Sequence, residues 1–556
     1  MKASLFKTKS PDKLIQDCQV SERAMRRSLT SLDLTALGIG AIIGAGIFAL
    51  TGTAAAGQSF QSPIETPVIN FIAAWISGAP LHLGRAGAGP AIVLSFLVAA
   101  IACALAAFCY AEMASMIPVS GSAYTYSYAT LGEFVAWIIG WDLILEYAVG
   151  NIGVAVSWSD FFARLLYALT RIRLPLWLVK DYGTAHAWVE KAQSLSLHQQ
   201  GHIQLSPTDL DDCLQAARNL SNYSSTHLPN FFGHDIAINF PAFLIVAFLT
   251  ILLVLGIRES ARFNTAAVIL KISVVIFFIA FGAFYVNPAA NWHPFMPNGF
   301  TGVMGGAAIV FFAFIGFDAV STTAEETRNP QRDLPIGMMA SLIICTLLYI
   351  SVSAVLTGMK KYTAFADDAA AIATAVQVSG KTWVQAVISA GALAGLTSVL
   401  LVFQLGQPRI FMAMARDGLL PEYFARIHPR FRTPHITTIW TGVFVGLIAM
   451  FLDIGSAAEL TNIGTLFAFI LVSAGVIVLR RSSPRRARPF KAPCVPWLPA
   501  CGIFFCLALM LSLPVLTWIR FVVWLGVGLT IYFLYGYKHS VLGQEHEPTG
   551  SSGKPI

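Results

Sequence analysis

Glu112, Asp142, Glu146, Lys271 and Asp318 stand inside long apolar runs of the sequence. A charged side chain in hydrocarbon costs on the order of 3 kcal/mol on insertion scales, so such residues persist where they pair, carry protons or bind a polar solute. Asp142 and Glu146 are spaced to share one helix face. Lys271, in AAVILKISVVIFF, sits too deep in its run to reach the interface easily. Burial favours the neutral amine and a nearby carboxylate favours the ammonium, so this lysine can lose and regain a proton. Asp318 or Glu146 is the expected partner. A permanently charged pair that only fixes helix register is the structural alternative. Glu112, near the end of its run, reads as a gate or an interfacial pair and not as a substrate ligand.

Backbone can also do chemistry here. One run, LGIGAIIGAGIFALTG, carries Gly38, Gly40, Gly44, Gly46 and Gly52; another, GGAAIVFFAFIGFDAVSTTAEE, carries Gly305, Gly306 and Gly316. The first is not a dinucleotide fingerprint, because it is apolar on every side and has no preceding strand. Close helix packing is one reading of such glycines. The sharper one is a helix broken near mid-membrane at Gly44-Ala45-Gly46, whose freed N–H and C=O groups line a polar cavity. The half helix starting near Gly46 turns its positive end to the membrane centre and attracts a carboxylate. The carbonyls near Ile42, and those from Phe312 through Ala313 to Ile315, attract an ammonium group. A solute bearing both groups on one carbon is an α-amino acid.

These residues need a membrane scaffold to position them. The chain has 556 residues, 56% hydrophobic and 12% charged, against roughly 25% charged in soluble domains. Apolar runs at 34–56, 90–116, 133–160, 239–257, 264–286, 302–326, 335–357, 382–407, 435–453, 459–479, 497–514 and 518–536 give roughly twelve transmembrane helices. The broken runs are the first and the sixth. Broken helices opening two halves of opposite topology point to a secondary transporter with inverted repeats. The expected fold class is an all-α membrane protein with a 5+5 inverted repeat, helices 1 and 6 discontinuous, and two extra C-terminal helices. Its parts are a cytoplasmic tail at 1–32, a first repeat at 33–286, a second at 302–479, helices 11 and 12 within 497–537, and a tail at 538–556.

Basic residues set the orientation. Arg258 and Arg262, Arg328 and Arg332, Arg409, Arg416, Arg426, Arg430 and Arg432, and the cluster from Arg480 to Lys491 all follow even-numbered runs, whereas 287–300 and 454–458 contain no Lys or Arg. Even-numbered exits and both termini are therefore expected inside. The net charge of +7 is topological on this reading, and no nucleic-acid partner is expected. No removable signal peptide is visible in the basic segment before Asp33. Two insertions face outside. Residues 57–89 contain an apolar stretch too short to span, expected to be re-entrant or to lie on the surface; residues 171–238 read as a long polar loop with sequons at Asn219 and Asn222. Cys103, Cys109, Cys345 and Cys506 fall in apolar runs, so neither a disulfide framework nor a metal site is expected, and no cofactor is called for.

On GIGAIIGAGIF, on AGPAIVLSFLVAAIACALAAFCYAEMASMIPVSGSAYTYSYATLGEFVAWIIGWDLILEY, on FFAFIGFDAVSTTAEETRNPQRDLPIGM and on QPRIFMAMARDGLLP, in that order, the sequence resembles the amino acid–polyamine–organocation (APC) superfamily. The resemblance is to the cationic amino acid transporter branch and its bacterial permease relatives, and it covers residues 30–540. It implies that the backbone of Ala45 and Gly46, beside Gly44, holds the substrate carboxylate. It also implies that the carbonyls of Ile42, Phe312 and Ile315 hold the α-ammonium, and that Phe312 is an aromatic gate. A lysine at the place of Lys271 stands, in proton-coupled bacterial members, where sodium-driven relatives bind an ion. Asp318 either binds a cationic side chain or stabilises the unwound helix. The two outside insertions depart from the family pattern.

The function expected is secondary active, proton-coupled symport of cationic or small neutral L-amino acids by alternating access in the cell membrane. Substrate, protons and lipid are its partners; nothing in the sequence supports an accessory single-span subunit. Obligatory exchange is the alternative within transporters, and a channel is the alternative outside them, although rings of charge or carbonyl filters are not evident. An enzyme is not expected, since His-Glu-x-x-His, metal-spaced His and Cys clusters and Gly-x-Ser-x-Gly are missing from the sequence.

Overall fold

The structure, a computed structural model, describes residues 6–10, 12, 29–58, 62–78, 81, 83–119, 122–202, 204–205, 207–231, 234–255, 261–366, 368–428 and 433–544. Arg258, Arg430 and Arg432 of the orientation pattern lie outside the described residues, as does most of each terminal tail. The chain is an all-α membrane protein. Among the described residues, eight helices are long and apolar enough to cross a bilayer, a bent pair makes a ninth, and the apolar helices Phe240–Leu255, His435–Ala449 and Trp497–Leu511 are shorter. Their order along the chain follows the apolar runs.

The first span opens on a reciprocal cap. The Thr30 hydroxyl accepts from the Asp33 N–H, and the Asp33 carboxylate accepts from the Thr30 N–H at 2.9 Å. Its helix Ser31–Ile42 stops where Ile43 turns extended, and the chain resumes as Gly46–Ala56 at an angle of 43°. The sixth span runs as Gly299–Val310, tightens over Phe311–Phe314, turns extended at Ile315 and passes through Gly316 at φ +116° before the tight turns of Asp318–Glu326. Only glycine, which lacks a Cβ, adopts this positive φ at little cost. The two breaks touch: a Cβ on Gly46 would lie 2.3 Å from the Ala313 Cα.

The described ends of the chain meet on one face. Lys9 pairs with Asp417 at 3.3 Å, and the Glu133 carboxylate accepts from Tyr532 at 3.2 Å, from Tyr128 at 2.9 Å and from Ser540. Glu112 belongs to this face too. Arg480 clamps it through two hydrogen bonds of 3.0 and 2.7 Å, and Arg488 lies 3.3 Å away, an interfacial cluster well separated from the helix breaks.

The described residues of both insertions lie on the opposite face. In the first, Gly57–Gln58 pairs antiparallel with Arg85–Ala86, and the segment hydrogen-bonds the link before the last span through Val68 N–H to Leu513 and Val515 N–H to Thr66, each 3.1 Å. Its helix Val68–Ser77 lies on the surface with Ile72, Trp75 and Ile76 outward. Buried Arg85 binds both Gln58 and Glu459, and Glu459 also accepts from Thr517 at 2.9 Å. Removing one partner of such a pair strands a buried charge at a cost of about 3–5 kcal/mol, whereas replacing both by apolar residues is often neutral. Arg85→Met and Glu459→Met are each expected to lower the melting temperature of the purified protein, and the double variant to recover most of the loss.

The second insertion is not the solvated loop expected from its polarity. It forms helices Leu176–Val179, Tyr182–Gln199 and Pro207–Leu220 around its own apolar cluster, which includes Leu176, Ala185, Trp188, Ala216 and Leu220. The polar composition reflects short helices that each bury only a narrow stripe.

Candidate functional site

A broken helix leaves carbonyls without intrahelical partners, and buried carbonyls must be satisfied by something else. Here other helices supply the donors. Lys271, fully buried in the fifth span Ala261–Gly282, donates to the Gly40 carbonyl at 2.7 Å. It therefore places its amine at the C-terminal end of the half helix Ser31–Ile42, where a cation is favoured. Gly395 of the eighth span, Thr382–Arg416, makes room for its stem. Tyr349 of the seventh span, Pro330–Met359, sets its hydroxyl 2.8 Å from the Ile42 carbonyl and 2.9 Å from the Ala313 carbonyl, bridging both breaks.

The carbonyls expected to be vacant for an ammonium group are thus partly engaged. Ile42 meets Tyr349, and the Phe312 carbonyl accepts from the Ile315 N–H at 3.3 Å. Each carbonyl keeps a second lone pair. Of the carboxylates named as partners of Lys271, Asp318 accepts from the Ser122 hydroxyl at 3.4 Å, and Glu146 lies beside Thr465 of the tenth span, Ile454–Ser482.

Beside the breaks lies a cavity of about 280 Å³. Its walls are Ala41 of the first span, Glu146 and Tyr147 of the third span Glu133–Thr170, Ile315, Gly316, Asp318 and Ala319 of the sixth, and Val399, Val402 and Phe403 of the eighth. Phe403 and Tyr147 pack edge to face at 5.5 Å. The structure therefore brings Ile315, Asp318 and Glu146 to one cavity, with Gly44 against Val399 of its wall, whereas Ile42, Ala45, Gly46, Phe312 and Ala313 are not part of that wall. Gly46 packs on Ala313, and Phe312 is buried with its ring near Gly153 of the third span. Ala45 is fully buried within the break. Asp142, one turn from Glu146, is buried against Gly464, and among the described residues neither of its oxygens has a hydrogen-bond partner.

Sequence reasoning missed Tyr349 and the wall from the eighth span. A hydroxyl inside an apolar run was a usable signal for Tyr349; Val399, Val402 and Phe403 gave none. No cluster of His, Cys, Asp or Glu that could hold a metal ion occurs among the described residues.

Two snapped membrane helices that meet beside a cavity define a membrane carrier of the APC type. The family model described as amino acid permease matches residues 29–533, and the chain belongs to that family. It is 44% identical to the branched-chain amino acid permease BcaP of Bacillus subtilis (strain 168) over 98% of this chain and all of the relative. It is 40% identical to the methylthioribose transporter of the same organism, again over 98% of this chain and all of the relative. It is 34% identical to the vacuolar cationic amino acid transporter 4 of Arabidopsis thaliana, over 83% of this chain and 64% of the relative. These relatives are transporters, which supports amino acid transport as the function and weighs against an enzyme.

Proposed function

We propose that this protein is a proton-coupled carrier that accumulates neutral, aliphatic L-amino acids across the cell membrane by alternating access. The observation that carries the substrate class is the cavity beside the two breaks. Helix ends supply fields for a carboxylate and an ammonium group, while Val399, Val402, Phe403 and Ile315 offer an apolar wall for a branched side chain. The 44% identity to a branched-chain amino acid permease supports the same class. In this reading both termini are cytoplasmic, residues 33–286 and 302–479 are the inverted repeats, Phe312 is the gate, and Lys271 exchanges the coupling proton.

The test is uptake of a panel of labelled amino acids into proteoliposomes that contain none. An inward pH gradient is expected to drive accumulation of leucine, isoleucine and valine in preference to arginine and lysine. Uptake only into preloaded vesicles would replace symport by exchange, and currents of single-channel size would replace the carrier altogether. The relative that carries methylthioribose, a solute lacking the amino acid head group, favours one further reading, so this compound belongs in the panel.

A further inference from the structure

A second cavity, of about 680 Å³, lies on the face opposite the chain ends, between the third span, the helical insertion 171–238 and the segment before the eighth span. Its walls hold charges of both signs. Lys180 donates to Asp160 at 2.6 Å, and Arg164 to Asp368 at 2.7 Å. Burial disfavours the Lys180 ammonium, but the Asp160 carboxylate beside it prevails and raises it above the ordinary lysine range. Burial likewise pushes Asp368 up, but the Arg164 guanidinium and hydrogen bonds from Thr374 and from the Ala370 N–H outweigh it and hold the carboxyl below the ordinary range. Both loop residues therefore stay ionised at neutral pH.

Two groups on this cavity have capacity to spare. Asp160 is 4% exposed, lines the cavity, and keeps Oδ1 without a hydrogen-bond partner among the described residues. A buried carboxylate oxygen left bare is costly, so it is a site for a donor. Arg173, also on the wall, donates to the Ser221 carbonyl at 2.7 Å and to the Tyr167 hydroxyl at 3.4 Å, neither of them a carboxylate. A spare anionic acceptor and a spare guanidinium on one wall, with Trp188 and Tyr223 beside them, match a zwitterion with an apolar side chain.

The third span ties this cavity to the central one. Glu146, Gly150, Gly153, Ser157, Asp160 and Arg164 recur at alternating spacings of four and three residues, which is one helix face. Glu146 lines the central cavity, Gly153 faces the ring of Phe312, and Asp160 and Arg164 line the second cavity. Glu146 and Asp160 are separated along the helix by about 21 Å at ~1.5 Å per residue, so the two cavities cannot share one bound amino acid. Gly153, Ser157 and Phe312 between them are buried.

We propose that the cavity capped by residues 171–238 is a separate binding site for an α-amino acid zwitterion at the outer mouth of the carrier, its ammonium on Asp160 Oδ1 and its carboxylate on Arg173. This rests on the function and orientation proposed above. A solute held there waits on the closed side of Phe312 and raises the concentration from which the central site fills.

The test uses Asn222→Cys, an exposed position on the cavity wall, in the full chain with Cys18, Cys494 and Cys501 changed to serine and reconstituted in proteoliposomes. L-leucine at about ten times its Kd is expected to slow labelling by a membrane-impermeant maleimide about tenfold. N-acetyl-L-leucine, which lacks the ammonium, is expected to leave labelling unchanged. Arg173→Gln, which leaves the Lys180–Asp160 pair in place, and Asp160→Asn are each expected to abolish the protection and to raise the KM for leucine uptake more than they lower the maximal rate. Absence of protection in the parent, or protection that survives Arg173→Gln, would overturn the site; the second result would mean that leucine shields Asn222→Cys only through a conformational change. Leucine uptake by the same vesicles is read separately, so failure of the transport reading is not mistaken for failure of this site.

Discussion

Lys271→Gln is expected to reduce pH-driven accumulation of leucine to the level seen without a gradient while leaving leucine–leucine exchange measurable. Glutamine can still donate to the Gly40 carbonyl that Lys271 reaches at 2.7 Å, but it cannot gain or lose a charge. The ammonium stabilises the end of the inner half of the first helix, and its loss removes that stabilisation. A proton on Lys271 is thereby linked to the geometry of a break that also touches the sixth helix at Ala313. Lys271→Arg sharpens the test, since a guanidinium stays charged throughout; this variant is also expected to lose gradient-driven uptake. If Lys271 only fixed helix register as a permanent charge, arginine would preserve coupling and glutamine would impair both modes together. Net uptake and exchange, measured in the same preparation of vesicles, separate these cases.

Gly46→Ala is expected to lower transport about 100-fold, the scale on which a misplacement of roughly 1 Å at a reacting or binding centre is felt. The added Cβ would lie 2.3 Å from the Cα of Ala313 and 2.8 Å from its nitrogen, both inside van der Waals contact. Those atoms are backbone and cannot rotate aside, so the two breaks must separate. Overpacking of this kind typically costs 1–3 kcal/mol, which a folded chain can survive. The expected outcome is therefore a protein that purifies as a monodisperse species but binds and moves leucine poorly. Gly526→Ala, in the last span with nothing within 4 Å of its added Cβ, is the matched control and is expected to transport normally. Equal activity of the two variants would mean that contact between the breaks is not needed for transport.

Much of the scaffold was legible because membrane segments obey local rules. A run of apolar residues long enough to cross hydrocarbon can hardly be anything but a helix, since its backbone must satisfy itself. Glycines at Gly44, Gly46 and Gly316 marked the breaks for an equally local reason, that they permit turns and close approach that other residues do not. The intramembrane charges stood out by their cost alone. The insertion at 171–238 was misread because its helices carry few apolar residues, and their apolar cluster forms only when they pack on one another.

What the sequence by itself determined is therefore the membrane class, the order of the apolar helices, the positions of both breaks and five of the buried ionisable residues, all of which follow from composition and spacing along the chain. Tertiary structure alone decided how these are paired. It assigned Lys271 to the Gly40 carbonyl, Tyr349 to both breaks, Asp318 to the Ser122 hydroxyl, and Val399, Val402 and Phe403 to the cavity wall. The physical reason is that the cost of an orphan carbonyl or a bare carboxylate is fixed by its burial, whereas the donor that relieves it arrives from a helix hundreds of residues away and is selected by packing.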